Sequence, residues 1–258
     1  MQDVLLYTSA GHRFILLNES DPGEEEGIRS NQYLILHQGQ GVLLDPGGFG
    51  VMPRALAVML KYLPAEGIRA IILSHQDPDI VGGLATWLEI VDCPVYIPRI
   101  WLRFLPHYGV RRLQSFIGIP DPGMEIEVAE GFPLKLLPAH FLHSEGQINV
   151  FDPVSWILFS GDIGAGLLPA GVDAAFVDDF ERHRPHIEGF HRRYMGGNRA
   201  ARIWVKRVAA LNPAMIAPQH GPVYRGQAVS GLLRYLETLR CGIDLMQEDG
   251  GFPEMGAP

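Results

Sequence analysis

Residues 70–79, with the sequence AIILSHQDPD, are the most informative stretch of this chain. Four apolar residues, typical of a buried strand, lead directly into a polar loop that carries His75, Asp77 and Asp79. Alternate residues of an extended segment point the same way, so these three side chains are expected to face one cleft. Pro78 stiffens the loop between them. In α/β proteins, functional residues are commonly placed just past the end of a strand.

Three more polar residues, His143, Asp162 and His220, each come shortly after another apolar run. The chain therefore offers six candidate metal ligands, which are His75, Asp77, Asp79, His143, Asp162 and His220. Imidazole and carboxylate suit zinc, iron and manganese alike, and the set is large enough for two metal ions. Zinc hydrolase sites depend mainly on histidines. Because half of these candidates are anionic and stabilise the added charge of an oxidised cluster, the set favours iron, with zinc as a substitute.

The rest of the chain alternates short apolar runs, Gly- and Pro-rich turns and segments with helical periodicity. Strands are predicted at Val4–Thr8, Phe14–Asn18, Gln32–His37, Gly41–Asp45, Ala70–Leu73, Val95–Ile97, Met124–Val128, Leu134–Pro138, Gln147–Asp152, Trp156–Ser160 and Ala214–Ala217. Helices are predicted at about Arg54–Leu63, Val81–Ile90, Arg99–Tyr108, Ala200–Leu211 and Ser230–Gln247. The two halves repeat one theme, which predicts a single α/β domain over residues 1–258, an αββα four-layer sandwich with two mixed sheets. Residues 250–258, rich in Gly and Pro, are expected to form a flexible tail.

Composition limits the classes of protein to consider. Hydrophobic residues make up 47% of the 258 and charged residues 19%, which is typical of a globular protein. The net charge of −8 and the absence of a basic run argue against nucleic-acid binding. No apolar run is long enough to span a membrane, and the N-terminus does not resemble a secretory signal. Two cysteines without a CxxC motif fit a reducing compartment, so a cytoplasmic protein is expected.

Several motifs together resemble the metallo-β-lactamase superfamily: SHxDxD at 74–79, DPGG at 45–48, SGD at 160–162 and APQHGP at 217–222. The closer resemblance is to the diiron domain of flavodiiron proteins and to stand-alone oxygen-binding diiron proteins, in which a carboxylate replaces the second His of the hydrolase loop, as Asp77 does here. What the resemblance implies is a set of ligands. One iron would bind His75, Asp77 and His143, a second would bind Asp79 and His220, and Asp162 would bridge them. Open positions would accept O2 or NO.

Two positions depart from that family pattern. Family members usually carry Glu at the position of Asp77, and most superfamily members carry His where this chain has Ile80. In dizinc hydrolases that His is normally a ligand, so Ile80 argues against a hydrolase. Flavodiiron enzymes continue into a flavodoxin-like FMN domain that has no counterpart in these 258 residues, which also contain no GxGxxG loop. Electrons are therefore expected from a separate protein or a small reductant.

Three functions remain open. The first is a cytosolic non-haem diiron protein that binds O2 as a sensor or carrier. The second is an O2 or NO reductase that receives electrons from a flavoprotein or rubredoxin, and the third is a dizinc hydrolase of lactones, thioesters or phosphodiesters. Whether the protein is an enzyme is left open. A signalling or electron-donor protein is the expected partner, and the resemblance suggests a homodimer.

A few other residues belong to the predicted site or its surroundings. The resemblance places Tyr194 at the open face, where its hydroxyl would donate a hydrogen bond to O2. Asp45 either orients a ligand or simply forms the turn before Pro-Gly. His140 is interpreted as a polar loop residue. The remaining histidines are assigned to a solvated loop (His183, His186, His191) or to structural and surface positions (His12, His37, His107).

Overall fold

A computed structural model describes residues 3–17, 29–169, 172, 174–248 and 250–253. Two seven-stranded mixed sheets form its centre. The strands of the first sheet are β1 (Val4–Ser9), β2 (His12–Leu17), β3 (Gln32–His37), β4 (Gln40–Leu44), β5 (Ile68–Ile72), β6 (Val95–Pro98) and β7 (Phe116–Ile119), in that spatial order. The strands of the second are β8 (Met124–Glu127), β9 (Pro133–Pro138), β10 (Ile148–Asp152), β11 (Ile157–Gly161), β12 (Phe176–Val177), β13 (Met215–Pro218) and β14 (Val223–Arg225), in the order β12-β14-β13-β11-β10-β9-β8.

Helices cover the outer face of each sheet. The first half contributes α1 (Met52–Met59), α2 (Pro78–Val81) and α3 (Leu84–Ile90), and the second contributes α4 (Phe180–His183), α5 (Pro185–Tyr194), α6 (Asn198–Leu211) and α7 (Gln227–Thr238). Four 3-10 helices lie at Ala65–Gly67, Arg99–Tyr108, Leu113–Ser115 and Gly242–Leu245. Among the described residues, no helix is long and apolar enough to cross a membrane.

Three apolar cores separate the four layers. The core between the sheets contains a cluster of aromatic rings, in which the ring centroid of Tyr33 lies 5.9 Å from that of Phe14 and 5.4 Å from that of Phe159. Trp87 is buried between the first sheet and its helices, and Trp204 between the second sheet and its helices. Each of the four layers, two of helices and two of sheet, thus buries an apolar face. The predicted α/β four-layer sandwich is confirmed.

Strand direction brings the polar loops to one edge of the sandwich. β4 and β5 run parallel in the first sheet, and β11 and β13 run parallel in the second, so the C-terminal ends of each pair meet. Hydrogen bonds join the sheets at this edge: the amide of Ile148 donates to the carbonyl of Ser74 at 3.0 Å, and the side-chain hydroxyl of Tyr33 donates to the carbonyl of Pro218 at 2.7 Å. The loops that follow these strands are therefore held across from one another.

The assignment of residues 181–191 to a solvated loop is wrong. His183 lies on α4 and is buried, and His191 lies on α5 and is fully buried. The ring of His191 donates from Nδ1 to the carbonyl of Ile187 and accepts at Nε2 from the amide of Gly164. Burial, together with the nearby histidines His186 and His191, lowers the pKa of His183 to about 4. Both histidines thus belong to the packing of the second helix layer.

Four predicted helices differ from those observed. The helix predicted at Arg54–Leu63 is observed at Met52–Met59. The segment 81–90 is divided at Gly82 and Gly83, and the packing there requires glycine, because a Cβ on Gly83 would lie 2.7 Å from the carbonyl oxygen of Gly47. The segment Arg99–Tyr108 is a 3-10 helix, and the last helix ends at Thr238 instead of continuing to residue 247. Residues 18 and 254–258, which belong to a predicted strand end and the predicted tail, lie outside the described residues.

Candidate metal centre

The six predicted ligands come together at the shared edge of the two sheets. Asp77 and Asp79 lie on the loop and first turn of α2, directly after β5, and Asp162 follows β11. His143 lies in the loop between β9 and β10, and His220 in the turn between β13 and β14. The placement of Asp77 and Asp79 follows from the local sequence, because Pro78, which lies between them, starts α2 and turns the chain there.

One part of the cluster surrounds the Nε2 atom of His143. That nitrogen lies 3.2 Å from Nε2 of His75, 3.3 Å from Oδ2 of Asp77 and 3.1 Å from Oδ2 of Asp162. Ligand atoms bound at about 2.0–2.2 Å to one ion lie roughly 3–3.5 Å apart, so these spacings suit a shared cation. His75, His143 and Asp162 also offer ligand atoms that all lie within 4.8 Å of one another.

The other part of the cluster is formed by His220 and Asp79. Nε2 of His220 lies 3.2 Å from Oδ2 of Asp79 and 3.7 Å from Oδ1 of Asp162. Asp162 therefore directs one carboxylate oxygen to each part of the cluster. This is the arrangement in which a single carboxylate spans two metal positions.

Hydrogen bonds fix which ring nitrogen of His75 is available. The Ser74 hydroxyl donates to Oδ2 of Asp45 at 2.6 Å, so its oxygen accepts from Nδ1 of His75 at 2.9 Å. The Ser74 amide also donates to Oδ1 of Asp45 at 2.7 Å. Because the chain of bonds assigns the proton to Nδ1, Nε2 of His75 faces the cluster with its lone pair. Asp45 thus orients a predicted ligand through Ser74, which is the first of the two interpretations of its sequence position.

The second part of the cluster has matching support. Nδ1 of His220 donates to the carbonyl of Arg29 at 2.8 Å, which again leaves Nε2 for the cluster. The side-chain amide of Gln219 donates to Oδ2 of Asp79 at 3.0 Å. Such supporting bonds orient metal ligands and strengthen their donor atoms.

Charge in the cluster shows strong mutual stabilisation of imidazole and carboxylate. Burial disfavours a charged ring at His143, but hydrogen bonds and charge from Asp162 and Asp77 outweigh it and raise the pKa of His143 to about 10. The pKa of His220 is raised to about 9, where burial is outweighed by Asp79 and Asp162. Burial opposes ionisation of Asp162, yet the surrounding histidines lower its pKa to about 2. The cluster therefore attracts positive charge, whether as protons or as metal cations.

One oxygen atom of the cluster has no hydrogen-bond donor among the described residues. Oδ1 of Asp162 is buried and accepts no hydrogen bond from the described residues, although Asp162 is only 4% exposed. A buried carboxylate oxygen without a donor is costly. A metal cation at the position between Asp162, His220 and Asp79 would satisfy it, and the nitrogen and oxygen donors present fit iron or zinc. The donor set therefore fits a dinuclear metal group.

The remaining predicted residues lie at various distances from the cluster. The ring of Tyr194 meets the ring of His143 edge-on, with centroids 6.0 Å apart, and stacks on Phe190. Ile80 is fully buried in the core beneath α2 and supplies no donor atom. His140 lies on the loop as predicted, and its Nε2 donates to the carbonyl of Asp121 rather than facing the cluster.

Sequence reasoning missed the supporting shell apart from Asp45. Ser74 connects Asp45 to His75, and Gln219 holds Asp79. Gln76 donates its amide to Oδ1 of Asp77 and accepts from the Ser144 hydroxyl. Each of these polar residues adjoins a predicted ligand in the chain, so adjacency within SHQD and PQH was the available signal.

Known proteins share this architecture. Residues 28–221 match the family described as ODP family beta lactamase. A chemotaxis sensor ODP, solved as a peroxy diiron species, is similar at 42% identity over 95% of this chain and 97% of its own, with a TM-score of 0.85. The apo state of the chemotaxis sensor ODP from T. denticola is 44% identical over 94% of this chain and 96% of its own, with a TM-score of 0.82.

More distant relatives are larger proteins. The putative diflavin flavoprotein A 2 of Synechocystis is 26% identical over 76% of this chain, which spans about a third of that relative (34%). The rubredoxin oxygen:oxidoreductase of Desulfovibrio gigas, 16% identical with a TM-score of 0.74, shares the fold over 87% of this chain and 60% of its own. On the family match and the similar structures, this chain belongs to the ODP family of beta lactamases, a family with a metallo-β-lactamase-like fold.

Proposed function

We propose that this protein is a non-haem diiron protein that binds O2 and serves as an oxygen sensor. The observation that carries the proposal is Asp162, whose two oxygens face the two parts of one His/Asp cluster while Oδ1 lacks any hydrogen-bond donor among the described residues. The proposal is also supported by the chemotaxis sensor ODP, to which this chain is similar over nearly the full length of both proteins. His75, Asp77 and His143 would hold one iron, Asp79 and His220 the other, and Asp162 both.

The residues of the chain perform three tasks in this function. Asp162 would fix the spacing of the two positions, because its side chain is buried and its two oxygens face different parts of the cluster. Asp45 and Arg29 hold Nε2 of His75 and His220 toward the cluster. Tyr194, half exposed with its ring beside that of His143, would donate a hydrogen bond from its hydroxyl to the incoming ligand. When bound, a ferrous pair supplies the electrons that O2 accepts.

Iron is proposed over zinc because of charge. Three carboxylates offset the positive charge of two metal ions and continue to offset it after oxidation, whereas a zinc hydrolase gains activity from a less neutralised, more acidic metal. Zinc remains a substitute for the same donors and would yield a protein without visible colour. A dizinc hydrolase is disfavoured by Asp77 and Ile80, neither of which supplies the additional imidazole of that class.

Reduction of O2 or NO is the second candidate function, favoured by the similarity to diflavin flavoproteins that are about three times longer than the matched region. In that case a separate electron-donor protein supplies the reducing equivalents. A reducing, cytoplasmic setting is proposed on Cys93 and Cys241, both buried and free. We also propose that the chain forms a single domain and that two copies pair as a homodimer.

The test is reconstitution without air. Metal-free protein receives ferrous iron, excess metal is removed, elemental analysis gives the iron content, and O2 is then added while the visible spectrum is recorded. The proposal expects two irons per chain and a new charge-transfer band that requires both iron and O2. Zinc-loaded protein, treated identically, is the control and should stay colourless. A single iron per chain, or two irons without a band, would overturn the proposal, and steady O2 or NO consumption with a reduced donor would favour the reductase.

A further inference from the structure

An apolar groove lies beside the proposed metal centre. It has a cavity volume of about 620 Å³ and runs between the loop at 138–142 and the N-terminal half of α6. Trp204 forms part of its lining, and the indole N–H of that residue is already bound to the side-chain carbonyl of Asn149 at 2.6 Å. The ring therefore presents apolar surface to the groove. Leu142 and Ala200 line it from opposite sides.

Large apolar side chains stand exposed around this groove. Phe141 is 54% exposed, Ile203 54% and Ile243 72%, and all three contribute to the lining. Single exposed apolar residues are ordinary, but a group of them around a concave apolar surface is typical of a site for another molecule. Burial of these three side chains on association would provide the apolar part of the binding free energy.

The charge of α6 is opposite in sign to the net charge of the whole chain. This helix carries four cationic residues and no acidic residue, whereas the whole chain has a net charge of −8. Arg199, Arg202 and Lys206 are exposed and recur at helical spacing, so they form one stripe about 10 Å long beside the groove. None of the three forms an ion pair with the described part of the chain. Arg207 donates to the carbonyl of Pro138 at the groove wall.

We propose that the groove and the cationic stripe form a docking surface for an acidic amphipathic helix of a partner protein. Apolar side chains on one face of that helix would fill the groove over Trp204, and carboxylates on the adjoining face would pair with Arg199, Arg202 and Lys206. The pairing of opposite charges would also steer association.

Other occupants fit these observations less well. A small molecule held in the groove would not reach Arg202 and Lys206, which lie outside its lining. A nucleic acid would meet a protein of net charge −8 and an apolar surface in place of a broad basic one. A flat membrane surface does not match a concave groove. The complement of an apolar groove with a cationic border is a segment that is apolar on one side and acidic on the other.

The position of the surface suits a protein whose state must be read by a partner. Phe141 and Leu142 line the groove, and the next residue in the chain is His143. That link to sensing rests on the proposed function. The docking surface itself depends only on the groove and α6, so it can be tested on metal-free and iron-loaded protein alike.

The experiment uses two displayed libraries of helical peptides of about 18 residues. Both vary Leu, Ile, Phe and Met at the apolar positions, and the polar positions are Glu-rich in one library and Lys-rich in the other. Immobilised full-length protein, metal-free or iron-loaded, selects from each, and fluorescence anisotropy measures the affinity of the selected peptides. The proposal expects enrichment from the Glu-rich library only, with slowed hydrogen exchange confined to residues 139–142 and 196–207.

Variants decide whether the surface is responsible. Arg199→Glu combined with Arg202→Glu, and separately Ile203→Asp, should each weaken binding at least about tenfold. The matched control is Arg103→Glu combined with Arg111→Glu, which makes the same charge change on exposed residues of the first half and should leave the affinity unchanged. No enrichment, enrichment from the Lys-rich library, or equal binding by all variants would overturn the proposal. So would binding to phosphatidylglycerol vesicles in place of peptides, or self-association abolished by Ile203→Asp.

Discussion

Asp45 provides the sharpest test of how this fold prepares its metal site. The carboxylate is 1% exposed and accepts two hydrogen bonds from Ser74, at 2.7 Å from the amide and 2.6 Å from the hydroxyl. In Asp45→Asn, the amide oxygen can keep the bond from the Ser74 amide. The new NH2 group then faces the Ser74 oxygen, which must accept from it and turn its own proton toward Nδ1 of His75. The imidazole proton moves to Nε2, the atom that faces the cluster.

The expected loss of metal affinity follows from the ligand atom that this proton blocks, Nε2 of His75. An Nε2 that carries hydrogen cannot bind a metal ion, so His75 must adopt a disfavoured tautomer before it becomes a ligand. Changes in residues that orient metal ligands typically lower metal affinity 10- to 100-fold, about 1.4–2.8 kcal/mol. The other predicted ligands are untouched, so we expect the variant to fold and to lose affinity chiefly where His75 and His143 meet.

Competition titration with ferrous iron under argon measures the affinity, and 15N NMR of histidine-labelled, metal-free protein at alkaline pH measures which nitrogen of His75 carries the proton. Alkaline pH is needed because burial is outweighed by the charge of Asp162 and other neighbours, which raise the pKa of His75. Ser74→Ala is the informative companion, because it removes the relay without forcing a proton onto Nε2, and we expect a smaller loss. Asp92→Asn, an identical chemical change at an exposed residue paired with Arg112, is the matched control. The reasoning is refuted if Asp45→Asn binds iron like the parent protein, or if its His75 keeps the proton on Nδ1.

Three further predictions concern protonation, the open face and the sheet contact. In metal-free protein the pKa of His143 is raised to about 10 and that of His220 to about 9, and both shifts stabilise the fold. This stabilisation is fully present below pH about 6.5, the pKa of an unfolded histidine, and is lost as the pH rises through 9–10. The Tm of metal-free protein should therefore fall over that range, while the Tm of iron-loaded protein changes less. Tyr194→Phe should keep its iron content but lose the O2-dependent band about tenfold faster, as expected for about 1–1.5 kcal/mol from one hydrogen bond, and an unchanged decay would exclude the hydroxyl. His12→Phe removes the 2.8 Å hydrogen bond to the buried Asp152, which keeps its bonds from the Ser155 hydroxyl and the Val154 amide, and should lower the free energy of unfolding in urea by about 1–3 kcal/mol, whereas a loss below about 0.5 kcal/mol would contradict this account.

The parts of the fold that the sequence predicts well are those with strong apolar periodicity. Strands such as Gln32–His37 match the observed bounds, and the six candidate ligands lie together at one edge of the sandwich, each shortly after an apolar run. The expectation that α/β proteins place functional residues just past the ends of strands therefore led to this cluster. Their roles as ligands remain a proposal that iron analysis of single variants can test.

Helix α5 shows why other parts were missed. Its buried side is formed by Ile187 and His191, with Phe190 and Tyr194 packed beside them, at the spacing i, i+3, i+4 and i+7. Ile187 and Phe190 follow the helical spacing of an apolar face, but His191 counts as polar in a hydropathy pattern. The arginines around it suggested a solvated loop. The Gly164 amide donates a hydrogen bond to a ring nitrogen of His191 and so allows the ring to be buried, and Gly164 comes from a distant part of the chain.

The end of the last helix could not be predicted for a similar reason. Apolar residues continue past Thr238, so the sequence favours a longer helix. The helix ends where Leu239 adopts extended backbone, at φ −63° and ψ 123°. Shortly after it, Gly242, with φ of +51°, approaches Met195 so closely that a Cβ would lie 2.1 Å from the carbonyl oxygen of that residue. Only the tertiary contact reveals this constraint, and it also places Ile243 beside the apolar groove.

The two parts of the metal cluster differ in a way that bears on where O2 would bind. His75, His143, Asp77 and one oxygen of Asp162 serve the first part, whereas the second has only His220, Asp79 and the other oxygen of Asp162. Ile80, the residue after Asp79, is fully buried beneath α2. Because its side chain packs in that core, a histidine introduced there would have to leave the core before it reached the cluster. A metal position with fewer protein donors keeps more room for an exogenous ligand. We therefore propose that the second position, beside the partly exposed Asp79, would accept O2, whereas Tyr194 lies on the side of the first position, next to His143.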